Sequence, residues 1–161
     1  RDTLTITDGA VEKAKEAIRR GLPIITDTTM AASGINKTAA GKFGIEVHCF
    51  IGDEDVKAKA KESGMTRSAV SVEKAAGCYP ECIYAVGNAP TALMRLYELI
   101  EEKKIRPALI IGVPVGFVNV VEAKELILRT DVPAIVARGR KGGSNIAAAI
   151  CNALLYEAGG R

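Results

Sequence analysis

The sequence contains no tryptophan, and only 4% of its 161 residues are aromatic. Proteins that bind single-stranded nucleic acid stack bases on exposed aromatic side chains, so this composition argues against that class. The charge is nearly balanced as well, since 22 basic and 19 acidic residues leave a net charge of +3. A surface that binds nucleic acid or an anionic membrane usually carries a stronger basic excess. We therefore expect no nucleic acid and no membrane among the partners.

Long apolar runs and metal-binding motifs are also missing. No run approaches the roughly 20 apolar residues of a spanning helix. The four cysteines form no C-x-x-C pair, and Cys78 and Cys82 stand four positions apart, which fits zinc spacing poorly. Only His48 offers an imidazole. With no signal peptide at Arg1, we expect free thiols, no metal site and a cytoplasmic location.

An alternation of apolar strands and amphipathic helices is present instead. The first predicted helix covers 8–21, with Asp8 as its N-cap and Gly21 as its C-cap. Short, fully apolar strands between helices are typical of a parallel sheet covered on both faces. We predict one α/β domain over 1–161, with three layers (α/β/α) and a parallel sheet of about five strands. The predicted strands are 22–27, 45–51, 83–86, 108–113 and 133–137.

The segments that follow these strands predict the position of a site, because ligands of open parallel sheets bind at the carboxyl ends of the strands. These segments are TDTTM, GDED, GNAPT, GVPVGF and RGRKGGS. Glycine lets backbone approach a ligand closely, and helix N-termini favour anions. The pattern predicts an anion-binding crevice at this edge.

Individual residues leave alternatives open at this point. RGRKGGS (138–144) is either a carboxylate- or phosphate-binding loop or a solvated loop before a helix that Ser144 caps. Asp27 is either a site residue or a helix cap, and Arg67 either a ligand or a surface charge. We expect His48 to be a packed structural residue. Neither G-x-x-x-x-G-K-[ST] nor G-x-G-x-x-G occurs at a suitable place, so no motif supports nucleotide binding.

Five segments together resemble the precorrin-8X methylmutase family, which includes the cobalt-precorrin-8 methylmutases. Three of them are AVGNAPTAL (85–93), GVPVGFVNVVEAKE (112–125) and RGRKGGSNIAAAICNALL (138–155). PIITDTTMAASGI (23–35) and GMTRSAV (64–70) match two further family segments in the right order. The resemblance extends over nearly the whole chain.

The resemblance implies an isomerase of corrin (vitamin B12) biosynthesis. The family moves a methyl group from C-11 to C-12 of precorrin-8X or cobalt-precorrin-8, giving hydrogenobyrinic acid or cobyrinic acid. The tetrapyrrole substrate carries many carboxylates, which suits the predicted crevice. The resemblance further implies a homodimer with the site near the subunit interface, and no cofactor.

The resemblance also implies roles for residues. The family's catalytic histidine lies in an R-V-I-H-type segment upstream of Arg1, so we expect no catalytic residue in these 161 residues, and binding without efficient turnover. Arg67 matches a family arginine that reaches the corrinoid, across the dimer. Asn119 and Ala123 stand where the family often has glycine and serine. The candidate substrate-binding residues are Asp27, Thr29, Met30, Gly34, Arg67, Gly87, Asn88, Thr91, Pro114, Gly116, Phe117, Arg138, Gly142, Gly143 and Ser144.

Two alternatives to the enzyme remain at this stage. One is a non-catalytic α/β module that binds a corrinoid or another anion. The other is a nucleotide-binding or sugar-phosphate enzyme of the same architecture, since a fold does not determine a function. The missing glycine fingerprints argue against the second.

Overall fold

A computed structural model describes residues 4–116, 119–138 and 142–160. In these ranges one sheet contains six strands, in the order β1-β6-β5-β4-β2-β3. The strands are β1 (Leu4–Ile6), β2 (Ile24–Thr26), β3 (Val47–His48), β4 (Ile83–Val86), β5 (Leu109–Gly112) and β6 (Ala134–Ala137). The helices are α1 (Ala10–Arg19), α2 (Thr29–Gly34), α3 (Lys37–Gly41), α4 (Glu54–Ser63), α5 (Arg67–Cys78), α6 (Pro90–Glu101), α7 (Val120–Leu128) and α8 (Ser144–Ala158).

Five of the strands are parallel, which confirms the predicted α/β class and the five predicted strands. The pairs β2–β3, β2–β4, β4–β5 and β5–β6 are all parallel. The sixth strand, β1, was not predicted, and it pairs antiparallel with β6 at the edge of the sheet. It is only three residues long, and its Leu4 and Ile6 side chains are exposed. Leu4-Thr5-Ile6-Thr7 does alternate apolar and polar residues, but this is the minimum length at which alternation indicates a strand, so the signal is weak.

The central strands are buried on both faces, which produces two separate layers of core. Successive side chains of a strand point to opposite faces of the sheet. In β4, Ile83 and Ala85 therefore pack into the layer formed with α1, α2 and α8. Tyr84 and Val86 pack into the layer formed with α5, α6 and α7. This arrangement is the three-layer sandwich that the apolar strands predict.

Alanine lets α1 and α8 lie close to the sheet. The buried face of α1 consists of alanine and one isoleucine, namely Ala10, Ala14, Ala17 and Ile18. The buried face of α8 is similar and includes Ala147, Ala148 and Ala158. Small side chains shorten the distance at which a helix can pack without leaving cavities. Buried alanines are thus more frequent in this layer of the core than in the layer on the other face of the sheet.

The ends of α1 show where the capping predictions hold. Its N-cap is Gly9, in the left-handed region at φ 75° and without a side-chain cap, so the prediction of Asp8 is wrong. At the other end Gly21 has φ 74°, and the N–H of Leu22 reaches back to the Ala17 carbonyl at 3.2 Å. This left-handed closure after a helix is the one that glycine favours. The C-cap itself is Arg20, so Gly21 ends the helix as predicted but from the next position.

The buried titratable groups are kept from water by the core. Burial raises the pKa of the Cys82 and Cys151 thiols to about 12, so both stay protonated and unreactive at neutral pH. Burial also lowers the pKa of the Lys124 ammonium to about 8. All four cysteines are free. No group of three His, Cys, Asp or Glu side chains within the described ranges is arranged to hold a metal ion.

Among the described residues, no helix combines the length and the apolar character needed to cross a membrane.

We predict that Tyr84→Phe leaves the free energy of unfolding unchanged or raises it by up to about 1 kcal/mol. The Tyr84 hydroxyl is buried in β4 and has no hydrogen-bond partner of good geometry within the described part of the chain. Its polar neighbour is the Cys82 thiol, which is only a weak donor and acceptor. A buried hydroxyl without a partner costs roughly 1–3 kcal/mol of desolvation. Urea denaturation of both proteins measures the difference.

Tyr79→Phe is the matched control, because the Tyr79 hydroxyl lies 3.1 Å from His48 Nε2. Removing that hydrogen bond should cost about 0.5–1.5 kcal/mol. If Tyr84→Phe were the more destabilising of the two, the Cys82 thiol would be a stronger partner of the Tyr84 hydroxyl than its geometry indicates.

Candidate functional site

A concavity of about 380 Å³ lies at the carboxyl edge of the sheet, where the sequence predicts a crevice. It is built from the segments that follow β2, β4, β5 and β6. Its lining residues are Thr28, Thr29, Met30, Gly87, Asn88, Val115, Gly142, Gly143, Ser144 and Asn145. Seven of these belong to the predicted binding set. Thr28, Val115 and Asn145 were missed, although the position of Thr28 between a strand and a helix was a usable signal.

The glycines of this edge bring backbone into contact with backbone. A Cβ on Gly87 would lie 2.7 Å from Ser144 Cα, and one on Gly142 would lie 2.0 Å from the Val113 carbonyl oxygen. The N–H of Gly143 donates to the same Val113 oxygen at 2.7 Å. These contacts join the segments after β4, β5 and β6 into one packed surface. Glycine is therefore needed here for the packing of the loops themselves.

Asp27 is the buried acid of this edge, with 5% of its surface exposed. Its Oδ1 accepts the N–H of Gly87 at 2.8 Å, and its Oδ2 accepts those of Asn88 and Ala89 at 2.9 and 2.8 Å. Burial raises the pKa of the Asp27 carboxyl, and the three donors, which favour the ionised form, oppose that increase. Both carboxylate oxygens thus face the loop after β4.

Thr28 and Ser144 close the concavity from two sides. Thr28 Oγ1 caps α2 by accepting the Ala31 N–H at 3.0 Å, and it lies 2.8 Å from Ser144 Oγ. The predicted N-cap role of Ser144 is wrong, because the N-cap of α8 is Gly143, at φ 132°, and Ser144 is the first helical residue. The Ser144 hydroxyl contacts Thr28 instead of its own helix.

The start of α8 consequently has no side-chain cap. The first N–H groups of a helix have no acceptor within the helix, and the helix dipole adds partial positive charge at this end. Beside these polar groups lie three exposed apolar side chains, Met30, Val115 and Ile146. The edge therefore offers backbone donors for an anion together with apolar surface.

The two predicted arginines have different surroundings. Arg67 is the first residue of α5, is exposed, and forms no ion pair with any residue of the described ranges. The Thr66 hydroxyl donates to Thr91 Oγ1 at 3.1 Å, which places the start of α5 beside the start of α6. Arg138, in contrast, holds Glu125 through two hydrogen bonds of 2.8 and 2.6 Å. Neither arginine lines the concavity.

The remaining predicted residues lie around the concavity or outside the described ranges. Gly34 packs α2 against α8, since a Cβ there would lie 2.8 Å from Ala148 Cβ. Pro114 is buried and Gly116 is exposed, on either side of the lining residue Val115. Phe117, Arg140 and Lys141 fall outside the residues that the structure describes.

His48 lies in β3, packed as the sequence predicts. Its ring stacks with those of Phe50 and Tyr79 at centroid distances of 5.7 and 5.0 Å. Its Nε2 is 2.9 Å from Glu46 Oε1. None of these contacts involves a lining residue of the concavity.

A larger cleft, of about 910 Å³, lies at the opposite, amino edge of the sheet. It is lined by the segments that precede β4, β5 and β6, including Pro80, Pro107 and Pro133. Two of its three acids, Glu81 and Asp131, already pair with Arg20 and Arg106, and the third is Glu101. Its described lining includes the C-terminal ends of α6 and α7 but no helix N-terminus. We therefore place the site at the carboxyl edge, where helix ends and close-packed backbone meet.

We predict that Gly87→Ala lowers the free energy of unfolding by roughly 1–3 kcal/mol, as overpacking does elsewhere. The new methyl group would collide with backbone atoms of Ser144, which cannot move like the end of a flexible side chain. Gly77→Ala is the control, because Gly77 lies in α5 and a Cβ added there would have no neighbouring atom within 4 Å. It should stabilise the protein by about 0.5–1 kcal/mol. Equal effects of the two variants in urea denaturation would contradict the close packing of these loops.

Comparison with known proteins places the chain in a family. A family model described as precorrin-8X methylmutase matches residues 1–157. The cobalt-precorrin-8 methylmutase of Salmonella typhimurium is 46% identical over 157 residues, covering 97% of this chain and 73% of that protein. The precorrin-8X methylmutase of Pseudomonas aeruginosa is 40% identical over 161 residues, covering 97% and 76%.

Solved structures agree with the sequence comparison. Precorrin-8x methyl mutase from Thermus thermophilus superimposes with a TM-score of 0.91 at 38% identity, covering 99% of this chain and 78% of that chain. A family match along nearly the whole chain and relatives with the same fold lead to one conclusion. The chain belongs to the precorrin-8X methylmutase family.

Proposed function

We propose that this protein is an isomerase of cobalamin biosynthesis that moves the C-11 methyl group of precorrin-8X or cobalt-precorrin-8 to C-12. The products are hydrogenobyrinic acid and cobyrinic acid, respectively. Besides family membership, the observation that carries this proposal is the uncapped start of α8 beside exposed apolar side chains at the carboxyl edge. That combination suits a ligand with an apolar ring and acidic substituents.

The polar half of the site suits the carboxylates of such a substrate. The N–H groups at the start of α8 and the hydroxyls of Thr29 and Ser144 are donors at the concavity. Donors aimed at a carboxylate form the stronger, charge-assisted type of hydrogen bond. These groups would fix the rim of the ring by its acetate and propionate arms.

The apolar half suits the face of the ring. Met30 is 63% exposed, which is far more than an unbranched apolar side chain usually leaves in water, and Val115 lines the same concavity. Covering these side chains with a macrocycle removes apolar surface from water. Methionine adapts well to an irregular apolar ligand because its side chain is flexible and polarisable.

The described residues supply binding and orientation. The lining residues within the described ranges are hydroxyl, amide, glycine and apolar residues, none of which titrates near neutral pH. In this proposal they hold the tetrapyrrole so that C-11 and C-12 are presented to the proton donor, a histidine by the family resemblance. Holding a reactant in one geometry is itself a large part of catalysis.

A non-catalytic corrinoid-binding module is the second candidate, and the same lack of an acid or base among the described lining residues favours it. The two candidates differ in turnover alone. The test is titration with hydrogenobyrinic acid, followed by a methyl-migration assay on the protein as its gene encodes it. Binding with turnover supports the isomerase, binding without turnover supports the module, and no binding contradicts both.

We predict that Arg67→Ala weakens corrinoid binding by roughly ten- to a hundredfold, the value of one charge-assisted hydrogen bond. Arg67 is exposed at the carboxyl edge, and no acid of the described ranges pairs with it. Arg106→Ala is the control, because Arg106 is exposed at the amino edge, in a long 3.4 Å pair with Asp131. Isothermal titration calorimetry should show weaker binding for Arg67→Ala only. Equal loss in both variants would mean that net charge, rather than Arg67, governs binding.

We further propose that two copies form a homodimer, with Arg67 of one copy reaching the ligand of the other. Arg67 lies at the carboxyl edge but outside the lining of the concavity in its own chain, which is the geometry that a contact across an interface requires. Light scattering at micromolar concentration should give twice the monomer mass. If the protein were a monomer and Arg67→Ala still weakened its binding of the corrinoid, Arg67 would act within its own chain, which would contradict this arrangement.

A further inference from the structure

We infer that Asp27 is a positioning residue, whose buried carboxylate holds the segment Gly87–Ala89 and, through it, the start of α8. That Asp27 influences ligand binding rests on the proposed function, whereas its hold on the Gly87–Ala89 segment does not. In this role Asp27 does not touch the substrate, although its place at the end of β2 makes it look like a ligand.

The carboxylate of Asp27 is already occupied. Its two oxygens accept three backbone N–H groups at 2.8 to 2.9 Å, out of about four lone-pair positions that a carboxylate offers. Only 5% of the residue is exposed, and Asp27 is absent from the lining of the concavity. A substrate group would have to displace the loop in order to reach it.

The loop needs an acceptor from outside its own segment. Ala89 is the N-cap of α6 and has no side chain that caps the helix, and Pro90 follows it at the first helical position. The N–H groups of residues 87–89 precede the helix, so no helical carbonyl can accept them. Asp27, sixty residues earlier in the chain, supplies that acceptor at the positive end of the helix dipole.

The position of the loop is passed on by direct contacts. Gly87 lies against the backbone of Gly143 and Ser144, at distances that leave no room for a Cβ. The Ser144 hydroxyl meets Thr28 Oγ1 at 2.8 Å, and Thr28 is the residue next to Asp27. The contacts thus form a closed ring from Asp27 through the loop and α8 back to Thr28. All its members except Asp27 and Ala89 border the concavity.

Asp27→Asn is the sharpest test, because it keeps the shape of the side chain and removes one acceptor oxygen. The new NH₂ group would face at least one of the N–H donors, so that two donors oppose each other in a buried place. We expect the backbone amides of residues 87–89, Gly143 and Ala147, all of which donate hydrogen bonds, to exchange with deuterium at least tenfold faster, measured by NMR.

The control is a variant of equal stability with an untouched edge. Ile18 is buried near the end of α1, next to the amino end of β2. Ile18→Val or Ile18→Ala, whichever matches the thermal midpoint of Asp27→Asn, separates global destabilisation from the local effect. In the control variant, the amides of residues 87–89 should exchange with deuterium no faster than the amides of the core in the same protein.

The second measurement is titration of all three proteins with hydrogenobyrinic acid. A loop displaced by about 1 Å can cost a hundredfold in a positioned interaction, so we expect affinity to fall by about 10- to 100-fold in Asp27→Asn and to stay within about twofold in the control. In the turnover assay the same variant should raise KM by the larger factor and change kcat less, because it alters the binding edge and not the proton donor.

Each outcome decides the inference. If the amides of 87–89 exchanged at the same rate in Asp27→Asn as in the unaltered protein, the inference would be wrong. It would also be wrong if they exchanged faster but Asp27→Asn bound hydrogenobyrinic acid as tightly as the control variant does. If the unaltered protein bound no corrinoid, the proposed function would fail, and the exchange at 87–89, Gly143 and Ala147 would still decide whether Asp27 positions this edge.

Discussion

The carboxyl edge of this protein depends on one buried carboxylate that accepts three backbone N–H groups. Burying an acid is costly unless its oxygens are hydrogen-bonded, and an unpaired backbone donor is costly as well. The Asp27 carboxylate supplies acceptors to the N–H groups of the Gly87–Ala89 segment, and these N–H groups supply the donors that the buried carboxylate needs. The N···O distances are 2.8 to 2.9 Å. Because the segment also begins α6, the same contact sets where that helix starts. The two halves of the edge, after β2 and after β4, are thereby held in one geometry.

Close packing of glycine backbone extends that geometry across the sheet. Gly87 meets Ser144, and Gly142 meets the Val113 carbonyl, at separations that exclude a Cβ. Asn119, just before α7, meets a different backbone constraint, because its φ of 62° lies in the left-handed region. Asparagine tolerates that region better than most other side chains do. Side chains are therefore few at this edge because the backbone occupies the space.

Among the described residues, the donors that the proposed site offers to an anion are backbone N–H groups and hydroxyls. Arg138 is held by Glu125 through two hydrogen bonds, so much of its charge is compensated. The start of α8, without a side-chain cap, keeps its donors available. Donors of this kind are fixed in place and need no side-chain ordering when a ligand arrives, unlike a flexible lysine or arginine. A rigid, flat, carboxylate-rich ligand suits such a site.

The sequence by itself determined the α/β class, the five parallel strands and the family, because apolar periodicity and local segments such as GNAPTAL are properties of neighbouring residues. It did not determine the edge strand β1, the N-cap of α8 or the partner of Asp27. The Asp27 carboxylate meets donors 60 to 62 positions away, and Thr28 meets Ser144 across 116 positions. Ser144, at the start of a helix, is predicted from sequence to cap α8. In the folded protein its hydroxyl instead contacts the hydroxyl of Thr28. Which acceptor a donor finds is decided by the packing of segments distant in sequence, and only the three-dimensional structure contains that information.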